Sequence, residues 1–258
     1  MTRHPEVPPD CRLITRDSVG STSEEAKLLA TQSAPDRTVV WALEQTAGRG
    51  RHGRTWDSPV GNLYVSILLR PNSNVSAAPQ IGFAVGAAMA DAIHNTAGAN
   101  VILKWPNDLL LDDRKVSGIL LESADAGDGV VDWVVAGIGV NLASTPELPV
   151  STGFPAGSLR ASGHEIEPAM LLEAFLPRLF GLIDVWAQDG FAPVRTAWEK
   201  MSMAPGTPIN VKLPDGTVAG VFEGIDEVGN MILGTPDGPV QVAVGDVFPV
   251  SSVPTGVS

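Results

Sequence analysis

The chain has 258 residues, 44% of them hydrophobic, which suffices for one large domain or a large and a small one around a sizeable core. Its net charge of -12 argues against general nucleic-acid affinity, and no run of about 18 apolar residues offers a membrane span. Cys11 is the single cysteine, which excludes an intrachain disulfide or a cysteine metal cluster and fits a reducing cytoplasm; the opening MTRHPEVPPD lacks the regions of a secretory signal.

CRLITRDSV (11–19) reads as a first strand. GSTSEEAKLLATQ follows as a helix, with Ser21 or Thr22 as its cap and Glu24 or Glu25 three residues on. TVVWALE (38–44) is β-branched and apolar, a buried strand. Residues 45–62, rich in Gly, Arg and polar side chains, read as a loop, and LYVSILLR (63–70) as another strand. Pro71 and NSNVS break the chain before a long helix over 77–97, whose small apolar residues permit close packing on a sheet. VILKWPNDLLL is a strand interrupted at Pro106, followed by a DDRK turn. VSGILLES and VVDWVVAGIGVNL then form an antiparallel pair across GDG. A loop with Gly153, Pro155 and Gly157 leads to helices over 167–188 and 191–202.

From Pro205 the character changes. TPINVKL, TVAGVFEGID, NMILGT and PVQVAVGDVFPV are short strands joined by PDG, EVGN and PDG turns, and SSVPTGVS reads as a frayed end. The expectation is an α+β fold, with a mixed, mostly antiparallel sheet and helices over 1–204 and a small β-barrel over 205–258.

The loop contains GRGRHG (48–53), which satisfies the bare G-x-G-x-x-G pattern of a dinucleotide turn. That reading requires a helix next, and TWDSPVGNLYVSILLR supplies a strand instead. Arg49, Arg51 and Arg54 place three of the chain's 17 Lys and Arg within six positions. Glycines let backbone approach a ligand closely, and arginines present planar forks to carboxylate and phosphate oxygens. An ordinary solvated loop is the alternative for such a run. KWPND (104–108), DDRKVSG with Lys115 and Gly118, and GIGVNL with Asn141 lie at the ends of adjacent strands beside this loop. Taken singly, these residues read as solvated lysines, a plain turn and packing glycines. Together they are the makings of a convergent site for an anion with several negative oxygens.

GSTSEEA, EQTAGRGRHGRTW, KWPNDLLLDDRKVSGILLE and GIGVNL, in that order, resemble the motifs of the biotin protein ligases (biotin–[acetyl-CoA-carboxylase] ligases), and the likeness spans nearly the whole chain. The resemblance implies the biotin/lipoate ligase catalytic fold with an SH3-like barrel. It also implies a two-step reaction. The biotin carboxylate attacks the α-phosphate of Mg-ATP to give biotinyl-5′-AMP and pyrophosphate. A lysine of a biotin carboxyl carrier domain, of the acyl-CoA carboxylase class, then takes the biotinyl group and AMP leaves. Biotin and Mg-ATP are substrates, Mg²⁺ arrives with ATP, and no bound metal or permanent cofactor is implied.

Roles implied by the resemblance follow by position. Lys115 is the catalytic lysine, with Lys104 as a second cation and Arg49 beside them. Arg49 and Arg51 meet the biotinyl chain and phosphate, and Arg54 lies in the same loop. Ser21, Thr22 and Gln45 hydrogen-bond the ureido ring, with Gly48 and Gly118 letting backbone close on it. Asn107 and Asn141 contact phosphate, metal or nucleotide. Trp56 either stacks on adenine or anchors the loop. Ser23 stands where the family often has Asn, a shorter contact to the ring, and His52 where its loop often has Arg. Residues 1–10 leave no room for the winged-helix domain that some members carry, so a monofunctional enzyme without DNA or membrane partners is expected, cytoplasmic and a monomer or weak homodimer. The like charges of residues 45–62 are expected to keep that loop disordered until an anion arrives. A lipoate or octanoate ligase on the same fold, and a nonenzymatic biotin or nucleotide sensor, are the rival readings. The loop pattern and the cation cluster weigh against both.

Overall fold

A computed structural model describes residues 4–145, 153–213 and 216–250. The expected frayed end at 251–258 and most of the first PDG turn lie outside those residues.

Among the described residues, twelve strands and four α-helices follow the expected order. The first sheet comprises β1 (Arg12–Val19), β2 (Thr38–Gln45), β3 (Leu63–Leu69), β4 (Ile102–Lys104), β5 (Asp108–Leu111), β6 (Arg114–Gly127) and β7 (Val130–Val140), in the order β1-β2-β3-β7-β6-β5-β4. Only β1 and β2 run parallel in this sheet; its other pairs are antiparallel. The DDRK turn between β5 and β6 places Asp112 and Asp113 at φ of 51° and 56°, the left-handed geometry that matches strand twist and that Asp tolerates.

Alternation along the strands assigns the faces. Val39 and Trp41, Ile67 and Leu69, and Val134 and Ala136 point into the main core. That face is covered by α2 (Gln80–Ala97), α3 (Pro168–Asp189) and α4 (Phe191–Glu199). Val40, Leu68 and Val135 point the other way, onto Ala26, Ala30 and Ala34 of and just after α1 (Thr22–Thr31). α2 carries alanines and glycines through its middle, so it lies close to the sheet, and Gly98 closes it with φ of 66°.

The second sheet holds β8 (Thr207–Leu213), β9 (Gly216–Ile225), β10 (Met231–Thr235), β11 (Gly238–Val242) and β12 (Asp246–Pro249), all antiparallel, in the order β11-β10-β9-β8-β12. Ile209, Phe222, Met231 and Leu233 join the same apolar cluster as the helices. Phe83 of α2 meets Trp198 of α4 edge-on at 5.3 Å, and Trp198 meets Phe222 of β9 at 6.5 Å.

Four details differ from expectation. The long helix starts at Gln80, after a short 3₁₀ turn over Val75–Ala77. The last helix stops at Glu199. PVQVAVGDVFPV is two strands, because Gly245 ends the apolar alternation and β12 crosses to pair with β8. Ser21 occupies the cap position of α1, yet no side-chain cap bond forms, and the neighbouring Thr22 and Ser23 hydroxyls bond elsewhere. Among the described residues no helix is long and apolar enough to cross a membrane.

Candidate active site

α1 covers only part of its face of the sheet. Beyond Val135 the same side of β7 carries Gly137, Gly139 and Asn141, and the register sets Gly118 opposite Gly139 and Leu120 opposite Gly137. Strand residues without side chains leave the sheet bare there, and a cavity of about 550 Å³ opens over it. Its rim comes from the start of α1, the 49–57 loop, the β4–β5 corner and, from the second sheet, Lys212 and 246–248.

One end of the cavity is neutral and polar. Ser21, Thr22 and Ser23 are all buried there. Gln45 Oε1 accepts from the Thr22 amide at 2.8 Å and from the Thr22 hydroxyl at 3.1 Å. Ser66, in the middle of β3, donates to Thr22 Oγ1 at 2.8 Å and lies 3.1 Å from Ser23 Oγ. A buried hydroxyl needs a partner, and Thr22, Ser23, Ser66 and Gln45 supply one another's.

The other end is cationic. Lys104 closes β4 and Asp108 opens β5, around the cis Trp105–Pro106 bond, so their side chains face each other across the turn. Lys115 comes from β6, one strand further in. Asp108 lies 2.8 Å from Lys104 Nζ and 2.5 Å from Lys115 Nζ. Burial pushes the Asp108 pKa upward, but the two ammoniums outweigh it and hold the carboxyl well below the usual carboxylate range. One carboxylate thus faces two ammoniums, leaving net positive charge at the cavity wall. Lys104 also donates to the Val247 carbonyl at 3.4 Å.

The arginines of GRGRHG close over this end. The loop folds back on itself through a bridge between Arg49 and Thr55 and a 3₁₀ turn at Arg51–Gly53. Each arginine has an anionic or carbonyl partner. Arg49 pairs with Glu24, and Arg54 lies 2.9 Å from Asp246. Arg51 donates to Asn107 Oδ1 at 2.9 Å and is 3.7 Å from Asp246. Burial would raise the Asp246 pKa, but Arg54, Arg51 and Lys104 lower it. The like charges of the loop are therefore faced by carboxylates from α1 and β12. Asn107 in turn donates to the Ile119 carbonyl at 2.7 Å, so the residue that holds Arg51 is itself fixed to β6. Asn141, 1% exposed, donates to the Gly157 carbonyl at 2.9 Å, and its Oδ1 has no partner among the described residues.

Trp56 lies flat on the glycine floor. A Cβ built on Gly139 would stand 2.5 Å from Trp56 Cε2, and one on Gly118 would stand 3.1 Å from Cζ3. Lys115 Nζ is 5.6 Å from the ring centre, a cation–π arrangement. Gly139 is paired on both sides, to Tyr64 and Gly118, so the strand cannot yield. Gly139→Ala is expected to eject the indole and cost about 1–3 kcal/mol of stability in urea unfolding. The penalty should vanish in a Trp56→Ala background; a penalty that persists there sinks the assignment of the contact.

The predicted residues thus converge: Ser21, Thr22, Ser23, Gln45, Arg49, Arg51, Arg54, Trp56, Lys104, Asn107, Lys115, Gly118 and Asn141 all line the cavity. Gly48 does not. It sits behind the wall, where a Cβ would be 2.6 Å from Ser58 Oγ and closer still to the Trp56 carbonyl. His52 is exposed at the turn, with φ of 56°. Sequence reasoning left Asp108 as a possible turn residue and missed Ser66 and Asp246. A lone serine in the apolar run LYVSILL is the signal that could have found Ser66. Asp246 carries no local signal, because its partners are about 190 residues away.

Residues 16–141 match the Biotin/lipoate A/B protein ligase family, and residues 206–248 match the Biotin protein ligase C terminal domain. The chain is 39% identical over 236 residues to the Biotin--[acetyl-CoA-carboxylase] ligase of Paracoccus denitrificans, covering 88% of this chain and 96% of that one. It is 34% identical over 238 residues to the Bifunctional ligase/repressor BirA of Bacillus subtilis, covering 91% of this chain and 73% of that one. Among solved structures, the biotin protein ligase of Aquifex aeolicus in complex with biotin and ATP superposes with a TM-score of 0.77 at 28% identity, covering 92% of this chain and 97% of that one.

Proposed function

The chain belongs to the biotin protein ligase family, and from that premise we propose how its own residues carry the reaction. The protein is an ATP-dependent ligase that activates biotin as biotinyl-5′-AMP and transfers it to a biotin carboxyl carrier protein. The observation that supports the division of labour is the cavity's polarity: a neutral hydroxyl-and-amide end at Ser21–Ser23 and Gln45, and a cationic end at Lys104 and Lys115.

In this reading the ureido ring lies at the neutral end, over the bare strands at Gly118 and Gly139. Ser21, Thr22, Ser23 and Gln45 hydrogen-bond it. Its carboxylate reaches Lys115, where the α-phosphate of ATP must also come. Two anions repel, so fixed cations are what the step needs, and they act in a water-poor site where charge is least screened. A carboxylate oxygen bonds to the α-phosphorus as the bond to pyrophosphate breaks. Lys115 and Lys104 offset the charge that develops there, Arg49 and Arg51 hold the biotinyl chain and phosphate, and Arg54, Trp56, Asn107 and Asn141 receive the nucleotide. The amine of the carrier lysine then bonds to the acyl carbon, loses its proton to solvent and releases AMP.

Mg²⁺ enters as part of Mg-ATP, since Asp108 and Asp246 are both engaged by cations. The catalytic unit is placed at 1–204 and the second unit at 205–258, a division supported by the change of sheet at β8. The acidic charge favours protein over DNA partners, the single cysteine favours the cytoplasm, and the carrier is of the acyl-CoA carboxylase class. A monomer or weak homodimer completes the proposal.

The test mixes purified chain, biotin, Mg-ATP and a biotin carboxyl carrier domain, with product read by avidin blot. A biotinylated carrier, dependent on ATP, is the expected outcome. No label on the carrier at any enzyme concentration refutes the proposal.

A further inference from the structure

Five side chains link the neutral end of the cavity to the loop, and the direction of every bond among them is fixed. The Thr22 amide can only donate, so the group facing it on Gln45 must be the carbonyl oxygen, which accepts at 2.8 Å. The Gln45 amide nitrogen is thereby turned to Ser58, to which it donates at 3.0 Å. Ser58 spends its own proton on the Trp56 carbonyl at 2.9 Å. On the other side, the Thr22 hydroxyl donates to Gln45 at 3.1 Å, so Thr22 Oγ1 is free to accept from Ser66. Ser66 has one proton and gives it to Thr22, so Ser23 must donate to Ser66. The chain runs Ser23, Ser66, Thr22, Gln45, Ser58, Trp56 carbonyl, pinned by a backbone amide midway and a backbone carbonyl at its end.

Ser58 is 4% exposed and does not line the cavity. It touches neither substrate in the reading above, on which this inference rests. The space it occupies exists because residue 48 is glycine: a Cβ there would stand 2.6 Å from Ser58 Oγ and 3.0 Å from Gln45 Nε2. The same loop turn is tied by the Trp56 amide donating to the Gly48 carbonyl at 2.9 Å. Gln45, a residue of the ring-binding end, is therefore joined to the backbone that aims Trp56 onto Gly118 and Gly139 twice: its side chain through the Ser58 hydroxyl, and its backbone amide by donating to the Ser58 carbonyl at 3.2 Å.

We propose that Ser58 is a positioning residue that couples the two substrate halves of the site: a ligand that bonds the Thr22–Gln45 end tightens the already oriented Gln45 amide, and Ser58 passes that restraint to Trp56 and the nucleotide end. Two sites that bias one shared element must show reciprocal coupling. Ser58→Ala removes the side-chain link, keeps the backbone bond from the Gln45 amide to the Ser58 carbonyl, and leaves every cavity-lining side chain in place. Ser66→Ala, by contrast, loosens the Ser23 and Thr22 hydroxyls without touching the loop.

The experiment is a titration of biotin into the full chain with and without saturating Mg²⁺ and α,β-methylene-ATP. The wild type is expected to bind biotin about fivefold or more tighter with the nucleotide analogue present. In Ser58→Ala that ratio should fall to near one while biotin still binds. In Ser66→Ala biotin should bind more weakly and the ratio should persist. An unchanged ratio in Ser58→Ala, a ratio of one in the wild type, or equal loss of coupling in Ser66→Ala overturns the proposal, the last because it marks general loosening. Wild-type chain that binds no biotin at all overturns instead the ligase reading beneath it.

Discussion

Lys115→Ala is expected to remain folded and to form biotinyl-5′-AMP about 10²–10³-fold more slowly than the wild type, the range for loss of one preorganised charge donor. The geometry separates this from a folding defect. Lys115 is 29% exposed at its side chain, lines the cavity and shares Asp108 with Lys104. Its removal leaves Asp108 still paired at 2.8 Å to Lys104, so no buried charge is stranded. What disappears is the ammonium that is both nearest the glycine floor and within 5.6 Å of the Trp56 ring. Single-turnover release of pyrophosphate from labelled ATP reads the first step alone, and the avidin blot reads both. Adenylate formation at the wild-type rate would remove Lys115 from the chemistry.

Asp108→Asn carries the largest expected cost in stability. The substitution keeps the shape and removes the charge between two ammoniums, that of Lys104, 6% exposed at its side chain, and that of Lys115, 29% exposed. Breaking a buried pair in this way costs about 3–5 kcal/mol, because the Lys104 ammonium stays buried without its carboxylate. The pH dependence follows from the direction of the shift. The folded Asp108 pKa lies below its unfolded value, so the contribution is fully present above the unfolded value of about 3.9 and fades only as pH falls through the folded one. Urea unfolding should therefore show the full wild-type advantage at pH 7 and a shrinking advantage below about pH 4. An Asp108→Asn protein as stable as the wild type at pH 7 would contradict the ion-pair reading.

The parts of the site legible in the sequence were those encoded by short range. GRGRHG followed by a strand ruled out a dinucleotide turn, and β3 does begin at Leu63, with no helix between. KWPND and DDRK placed Lys104 and Lys115 at strand ends, and adjacent strands brought them together. The β-branched, apolar run TVVWALE read as a buried strand and VVDWVVAGIGVNL as one of an antiparallel pair, and the pleat of the latter puts Gly137 and Gly139 on the cavity side. What was not legible required a partner far along the chain. Asp246 reaches the arginine loop from the second sheet, and Ser66 matters because α1 folds over β3. The helix cap failed for a related reason. Ser-Thr-Ser before Glu-Glu satisfies a capping pattern, but the hydroxyls of Thr22 and Ser23 find Gln45 and Ser66 instead, and local propensity yields to the tertiary network.

The aromatic run from Phe83 through Trp198 to Phe222 bears on how damage spreads through the molecule. Had the two sheets separate cores, a packing error in the last fifty or so residues would melt those strands and spare the rest. Here Phe222, Met231 and Leu233 belong to the same cluster as the helices beneath the cavity floor. The whole chain then shares one margin against unfolding, of about 5–15 kcal/mol for proteins of this kind. Phe222→Ala is therefore expected to lower the unfolding midpoint reported by a probe at Lys115 as well as by one in the second sheet, with no signal passing between them.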